Sequence, residues 1–414
     1  MSNSAESAEM RNSPEVSCSW LLVAACFAMT MVVGETVWSF GVFFKPLEEE
    51  FGWSRTLVSS GYSAMLIGFA ISAIVVGRAI DTYKPQHTLL VSALLGGLGI
   101  CLCSQAHSIN QLRIAFVFTG LGAGANWIVP IVFTQRWFYG RSRAGIALAI
   151  VVTGGGAGTL IFAPLFNHLI LTYEWRRAFI VASIIFVTIV AASALVIKPS
   201  LANRQSSHTE DEKKDTGTAA QYWSTSTAIR ASSFRNIIFV YSIAVLSFQI
   251  LSVHFVPHAT DVGISPAAAA TALGLTGGIS VPGRIISGLM STKIGWQKTL
   301  ILSLFGMALS MGVLLFMKST WMLYSFVLLY GICHGMRMPA LLGIIGEFFG
   351  MRSVAELTSI AVAVSLLVGA CAPFAAGFIF DLTGSYSTVF TTLIALLMCG
   401  VVAATIMKKP YIEI

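Results

Sequence analysis

Four long stretches of this sequence contain no charged side chain at all. Residues 56–77 and 114–135 each hold 22 residues without Asp, Glu, Lys or Arg, residues 178–197 hold 20, and residues 236–260 hold 25. A helix rises about 1.5 Å per residue, so about 20 residues cross the hydrocarbon core of a bilayer. Each stretch therefore predicts one membrane-spanning helix.

The overall composition is typical of a chain embedded in a lipid bilayer. Only 10% of the 414 residues are charged (25 Lys and Arg, 18 Asp and Glu), whereas a soluble domain carries about 25%. So few charges cannot cover the exterior of a soluble protein of this size. The composition excludes a soluble enzyme, a disordered protein and a nucleic-acid binder, and nothing in it calls for a cofactor or a metal.

Charged residues and turns divide the whole chain into twelve predicted helices. They form an all-α membrane protein of two six-helix bundles, at 19–197 and 236–407, joined by a hydrophilic cytoplasmic linker at 198–235 and flanked by tails at 1–18 and 408–414. The predicted helices are 19–45, 57–77, 88–106, 111–134, 144–168, 176–197, 236–260, 266–290, 298–317, 320–345, 355–379 and 386–407.

The distribution of basic residues predicts the orientation. With the N-terminus inside, the cytoplasmic segments contain 17 Lys and Arg and the outer segments contain six. Cytoplasmic loops of membrane proteins carry an excess of Lys and Arg. Both termini are therefore expected in the cytoplasm, and the net charge of +7 needs no acidic partner.

The two halves also resemble each other. Gly120 and Gly124 in the fourth predicted helix match Gly331 and Gly335 in the tenth. Small residues four apart let helix backbones approach closely. A duplication with its seam near residue 215 explains the match.

Three segments carry a resemblance to a known family. Residues 77–81 (Gly-Arg-Ala-Ile-Asp) are similar to the loop between helices 2 and 3 of the major facilitator superfamily. Residues 39–55 and 143–158 look like the helix 1 and helix 5 segments of its monocarboxylate porters, especially the bacterial ones. The resemblance implies two bundles around a central cavity, alternating access, and a multi-pass monomer in the cell inner membrane.

Arg284 is the first candidate for binding a substrate. It lies deep in the eighth predicted helix, where a charge is unfavourable unless it faces a partner or a wet cavity. Its planar fork matches a carboxylate. In monocarboxylate porters an arginine of this helix binds the substrate carboxylate, and Arg284 occupies the similar position. The alternative is a structural ion pair inside the bundle.

Further substrate contacts are expected from both halves. Arg337 is the second cation inside a predicted helix, and the internal repeat aligns it with Asn126, which is followed by Trp127. Lys45, at the outer end of the first helix, matches a family lysine thought to capture the anion. Two arginines suit a dianion, whereas one arginine neutralised by Glu35 restores a site for a monoanion, and the sequence leaves both open.

Three residues are candidates for taking up a coupled proton. Glu35 lies inside the first predicted helix, and His254 and Asp261 lie in the outer part of the seventh. The family often has an aspartate one turn before the arginine, but here the residue is Ser280. Arg284 lies about 27 Å from the outer start of its helix, which favours a gate role for Asp261 over direct contact.

The sequence as a whole predicts a proton-coupled symporter of a small monocarboxylate such as lactate or pyruvate, with Arg78 and Asp81 as a cytoplasmic gate. Its expected partners are the organic anion, protons and the lipid bilayer. Three alternatives remain: a dicarboxylate or other organic-anion exchanger, a porter of a bulkier solute such as a riboflavin-like vitamin, and a membrane sensor that does not transport.

Overall fold

A computed structural model describes residues 14–82, 85–138, 144–197, 223, 225–350 and 354–410. Side chains are described from residue 20 onwards, excluding those of 77–84, 139–144, 198–222, 224 and 351–355 and those after 410. The described elements are all helical, which confirms the predicted all-α fold.

The described chain contains fourteen α-helices and one π-helical turn. In chain order they are α1 (Pro14–Val33), a π-helical turn (Gly34–Trp38), α2 (Gly41–Phe51), α3 (Arg55–Thr82), α4 (Pro85–Ser104), α5 (Ile109–Trp137), α6 (Ala144–Tyr173), α7 (Trp175–Val196), α8 (Thr225–Arg230), α9 (Ser232–Asp261), α10 (Pro266–Ile294), α11 (Trp296–Leu315), α12 (Thr320–Phe349), α13 (Val354–Thr383) and α14 (Ser387–Ile406).

Eleven spans of the described chain are long and apolar enough to cross a membrane, and the first of them joins α1, the π-helical turn and α2. The eighth predicted helix, α10, has 29 residues but is less apolar, because it holds Arg284 and many small residues. It packs between α6 and α12. The protein is therefore a multi-pass membrane protein.

The first span differs from its prediction, which was a single helix over 19–45. It begins at Pro14, continues to Phe51 and is interrupted by the π-helical turn Gly34–Trp38. The hydroxyl of Ser39 donates to the Gly34 carbonyl at 2.8 Å, five residues back, and so replaces a backbone donor. Such π-helical turns are frequent at functional sites.

The packing of the helices repeats between the halves. In the first half α3 packs on α5 and α1 packs on α6, and in the second half α10 packs on α12 and α9 packs on α13. The halves meet along two seams, where α6 packs on α10 and α3 packs on α13. This order is what a duplicated six-helix unit gives.

The glycine pairs that suggested the duplication lie at equivalent contacts. A Cβ added to Gly124 would lie 2.6 Å from the Phe69 carbonyl oxygen of α3, and one added to Gly335 would lie 2.0 Å from the Ser280 carbonyl oxygen of α10. Both positions need glycine because helix backbones touch there. The internal repeat predicted from these glycines is confirmed at this contact.

Some predicted boundaries shift or fall outside the described residues. Helices α8 and the start of α9 lie inside the stretch 198–235 predicted as linker, and α1 begins within the predicted tail 1–18. The backbone of Arg78 and Asp81 belongs to α3, but their side chains, and with them the predicted cytoplasmic gate, lie outside the described residues.

Candidate functional site

A cavity lies between the two halves of the molecule. The empty space there is about 840 Å³, a figure that includes open solvent. Its wall consists of Val33, Val37, Trp38, Leu66, Phe69, Trp127, Val152, Tyr241, Val245, Phe248, Gln249, Arg284, His334, Gly335, Arg337, Met338, Val362 and Leu366. Tyr241 and Leu366 lie in the first half of their helices, so the cavity is displaced towards the end of the bundle that carries the chain termini.

Arg284 lies in the wall of this cavity, on α10. Its Nη1 donates a long hydrogen bond of 3.3 Å to the hydroxyl of Thr153 on α6, across the seam between the halves. Among the described residues no carboxylate forms an ion pair with it. The alternative of a structural ion pair inside the bundle is therefore not what the described part of the chain shows.

Arg337 on α12 lines the same cavity and is only 7% exposed. Its Nε and Nη1 have no hydrogen-bond partner in the described structure. Its guanidinium carbon lies 5.2 Å from the centre of the Tyr241 ring and 5.9 Å from that of Phe248, which supplies cation–π contact but no counter-charge. The cavity therefore holds a second cation with free donors.

A tight crossing of α10 and α12 holds the two arginines at one level. A Cβ on Gly283 would lie 2.2 Å from the Ile332 carbonyl oxygen, so the backbones touch beside Arg284. The hydroxyl of Ser287 donates to the carbonyl of Met336 at 2.9 Å, next to Arg337. Both side chains line the same cavity.

Aromatic rings form much of the remaining wall. Trp38 makes edge contacts with Trp127 of its own half and with Phe248 of the other half, both at 5.5 Å between ring centres. The ring of His334 stacks between Phe248 at 4.4 Å and Tyr330 at 5.6 Å, and its Nδ1 has no partner in the described structure. The rings give the two arginines an apolar setting.

Sequence reasoning missed five of the wall residues with functional groups or rings: Phe69, Tyr241, Phe248, Gln249 and His334. The spacing of these residues along their helices could have revealed some of them. Tyr241, Val245, Phe248 and Gln249 follow the spacing of one helix face, and His334 lies one turn before Arg337. A helix-face search outward from the buried arginine would have found His334.

Asn126 does not lie in the wall, although the internal repeat paired it with Arg337. Its side-chain nitrogen donates to the Ser92 hydroxyl at 3.2 Å and to the Gly122 carbonyl at 2.9 Å, within the first half. The next residue, Trp127, does reach the cavity. The duplication places the backbones alike but turns these two side chains differently.

Glu35 is buried in the π-helical turn but is not part of the cavity wall. Val33, Val37 and Trp38 of the same segment line the cavity, which leaves Glu35 on another face. Neither of its carboxylate oxygens has a hydrogen-bond partner in the described structure. It therefore does not neutralise either arginine in this conformation.

A group of ionic side chains closes the other end of the bundle; we call Lys45, Glu48, Arg55 and Asp261 the latch. Arg55 donates to both carboxylate oxygens of Asp261, at 2.6 and 2.9 Å, and its Nε donates to Glu48 at 2.9 Å. Lys45 Nζ lies 2.7 Å from Asp261 and 3.0 Å from Glu48. The latch joins α2 and α3 of the first half to α9 of the second.

Further contacts reinforce the latch from α13. Asp381 accepts hydrogen bonds from the backbone nitrogens of Arg55 at 3.0 Å and Thr56 at 2.9 Å. The Arg55 guanidinium lies 3.7 Å above the centre of the Phe380 ring. Arg55 and Asp381 carried no signal in the sequence, because their partners are distant in the chain.

His254 lies below the latch and not in the cavity wall. Its Nε2 lies 3.2 Å from the Ser59 hydroxyl of α3 and 2.9 Å from the Pro373 carbonyl of α13, and its Nδ1 lies 2.8 Å from the Tyr386 hydroxyl. The predicted site residues thus separate into two groups: Arg284, Arg337 and Trp127 surround the cavity, while Lys45, His254 and Asp261 join the halves at the closed end.

The chain matches a known family along almost its whole length. Residues 21–317 and 237–413 match the Major Facilitator Superfamily. Among curated relatives, monocarboxylate transporter 13 of Rattus norvegicus is 25% identical over 397 residues, covering 94% of this chain and 88% of the relative. Monocarboxylate transporter 12 of Rattus norvegicus is 24% identical over 415 residues, covering 94% of this chain and 83% of the relative. These matches confirm the resemblance to monocarboxylate porters.

Solved structures share the fold at low sequence identity. The nucleoside transporter NupG, in a mutant form, superposes with a TM-score of 0.73 at 12% identity, covering 95% of this chain and all of the other. A bacterial homologue of the human lysosomal transporter Spinster, in an inward-facing conformation, gives 0.70 at 14% identity, covering 94% and 96%. Both likenesses concern the fold alone.

Proposed function

Because this chain belongs to the Major Facilitator Superfamily and is a membrane transporter rather than an enzyme, we propose that its cargo is a small organic anion bearing a carboxylate. The curated relatives are named as monocarboxylate transporters, which supports this class of cargo. The single observation that carries the proposal is Arg284, a cation in the wall of the central cavity with no carboxylate partner among the described residues.

The physical reason is the cost of such a charge. A guanidinium at membrane depth is unfavourable by at least about 2.5 kcal/mol unless a partner or water compensates it. It stays charged at any working pH, and it binds a carboxylate through two parallel hydrogen bonds. A carboxylate that enters the cavity supplies the missing counter-charge. Its binding therefore neutralises the unfavourable charge of the guanidinium.

The transport cycle we propose is a rocking of the two halves about the cavity. The latch closes one end, and the cavity is displaced towards the other. The excess of Lys and Arg in the loops at the terminal end supports a cytoplasmic position for that end, in the inner membrane of the cell. The described conformation is then the inward-facing one, and a single chain completes the cavity.

Proton coupling is part of the proposal, with lactate or pyruvate as the simplest monocarboxylate cargo. Asp261 is the best placed of the three candidate groups, since it accepts hydrogen bonds from Arg55 across the halves. A proton on Asp261 would remove this bond and release the latch. An anion arriving at Lys45 would compete with Asp261 for the same ammonium group.

The test is uptake of radiolabelled pyruvate by proteoliposomes with an imposed pH gradient. Arg284→Gln is expected to reduce uptake at least about tenfold, and Arg284→Lys less, because the charge remains while the fork is lost. Arg113→Gln is the control, since Arg113 bonds to Ser60 and Asn110 within the first half. Unchanged uptake in Arg284→Gln refutes the site, and uptake that ignores the gradient refutes proton symport.

A bulkier solute, such as a flavin-like vitamin, is a second candidate that the cavity itself favours. Aromatic rings line the cavity, as is common in sites that bind drug-sized molecules. Competition by unlabelled solutes of increasing size against pyruvate uptake separates the two. Inhibition by a vitamin that greatly exceeds inhibition by lactate would favour the bulkier cargo.

A further inference from the structure

We propose that Arg337 forms a second anion subsite beside Arg284, so that the preferred cargo carries two negative groups, as a short dicarboxylate does. This inference rests on the proposed function, because it concerns the same cavity. It goes further in naming the charge of the cargo, which neither the fold nor the relatives decide. The evidence is the donors of Arg337, the charges around them and the crossing that fixes both arginines.

Two nitrogen donors of Arg337 have no hydrogen-bond acceptor in the described structure. Its Nε and Nη1 are buried and unpartnered in the described structure, and the side chain is 7% exposed. Buried polar groups in native proteins are almost always hydrogen-bonded, and an unsatisfied charged group is the most unfavourable case. Its neighbours Tyr241 and Phe248 offer ring faces, which stabilise a cation but do not satisfy its N–H groups. An anionic ligand would satisfy both.

The charge balance of the wall favours two negative groups. Of its eighteen residues, Arg284 and Arg337 are cationic and none is Asp or Glu. Glu35, the carboxylate that could have neutralised one of them, lies outside the wall. A monoanion in the cavity therefore leaves one buried positive charge uncompensated, whereas a dianion balances both.

The backbone keeps the arginines as a pair. The contacts of Gly283 with the Ile332 carbonyl and of Ser287 with the Met336 carbonyl join α10 to α12 beside the arginines. Both helices belong to the second half, so a rocking motion carries the two cations together. Two-point recognition by one half would thus persist in both orientations of the transporter.

The test compares three ligands that share a four-carbon chain and carry either one or two carboxylates. Binding of succinate, monomethyl succinate and butyrate to the purified full-length protein is measured by titration calorimetry at neutral pH. Succinate is expected to bind at least about tenfold more tightly than the other two, since each supplies only one carboxylate. Equal affinities of succinate and monomethyl succinate overturn the inference without any variant.

Two substitutions of Arg337 test whether this residue causes the preference for succinate. Arg337→Gln is expected to weaken succinate binding more than butyrate binding and so reduce the advantage of succinate to about twofold or less, and Arg337→Lys retains part of it. Arg284→Gln is expected to weaken all three ligands. An Arg337→Gln protein that keeps the full advantage overturns the inference.

The same titrations distinguish this inference from the proposed function. If none of the three ligands binds the unmutated protein, the carboxylate function itself fails. If succinate and butyrate bind equally and Arg284→Gln weakens both, the proposed function stands and only the second subsite fails.

Discussion

Replacing Asp261 with asparagine is expected to open the closed end of the bundle. In the latch, Asp261 accepts two hydrogen bonds from Arg55 and pairs with Lys45. The side chain of Arg55 is 5% exposed and that of Asp261 is 27% exposed, so water replaces the lost interaction only in part. A hydrogen bond to a charged group contributes about 1.5–3 kcal/mol. We take about 2 kcal/mol, which lowers the ratio of closed to open forms roughly 30-fold.

Hydrogen–deuterium exchange in lipid nanodiscs measures this ratio. The first turns of α3, from Arg55, pack on α13 and contact α9 through Ser59 and His254, and we expect these contacts only while the latch is closed. Amide protection there is expected to fall roughly 30-fold in Asp261→Asn if exchange follows the open population. Segments within one half, such as the α4 helix, are expected to keep their protection.

Glu50→Gln is the matched control. Glu50 lies on α2 near the latch, and its carboxylate accepts hydrogen bonds from Trp175 and Arg176 of the same half. Its loss breaks an ionic contact at the same end without touching the junction of the halves. The reasoning is refuted if protection of α3 is unchanged in Asp261→Asn, or if it falls equally in Glu50→Gln.

Two further substitutions test the scaffold of the cavity. Gly335→Ala would place a Cβ 2.0 Å from the Ser280 carbonyl oxygen. It is expected to destabilise the protein by about 1–3 kcal/mol, measured as a lower melting temperature. Gly288→Ala is the control and is expected to be neutral, because an added Cβ meets nothing within 4 Å. Thr153→Val removes the 3.3 Å contact with Arg284 and is expected to weaken carboxylate binding about fivefold in calorimetry, so an effect above a hundredfold would contradict a merely orienting role.

The spans and the central arginine were predictable from the sequence because both depend on local chemistry. Charges interrupt membrane helices at a spacing that the bilayer fixes, and a lone arginine such as Arg284 stands out against apolar neighbours. The break at Gly34–Trp38 was not predictable in this way. It depends on the side-chain hydrogen bond of Ser39 and on the close approach of Gly34 to the Gly155 carbonyl of α6.

A gate role was expected for Asp261, but its partner Arg55 was not predictable, because the two residues are far apart in the chain. Arg55 and Asp261 are separated by 206 positions, and each alone reads as an ordinary charge at a helix end. The prediction that Asn126 and Arg337 both face the cavity depended on the internal repeat alone. The repeat aligns the two positions but does not fix the partners of each side chain, and Asn126 bonds to Ser92 within its own half.

The guanidinium groups of Arg284 and Arg337 also bear on how the protein can respond to pH. A guanidinium side chain keeps its charge over the pH range in which cells live, so acid does not release a ligand by discharging it. Sensitivity to acid must originate in the ionisation of the solute, in a histidine, or in carboxylates outside the cavity such as that of Asp261. Asp261 and His254 both lie outside the cavity wall, so the proposed recognition and the proposed proton response belong to different parts of one molecule.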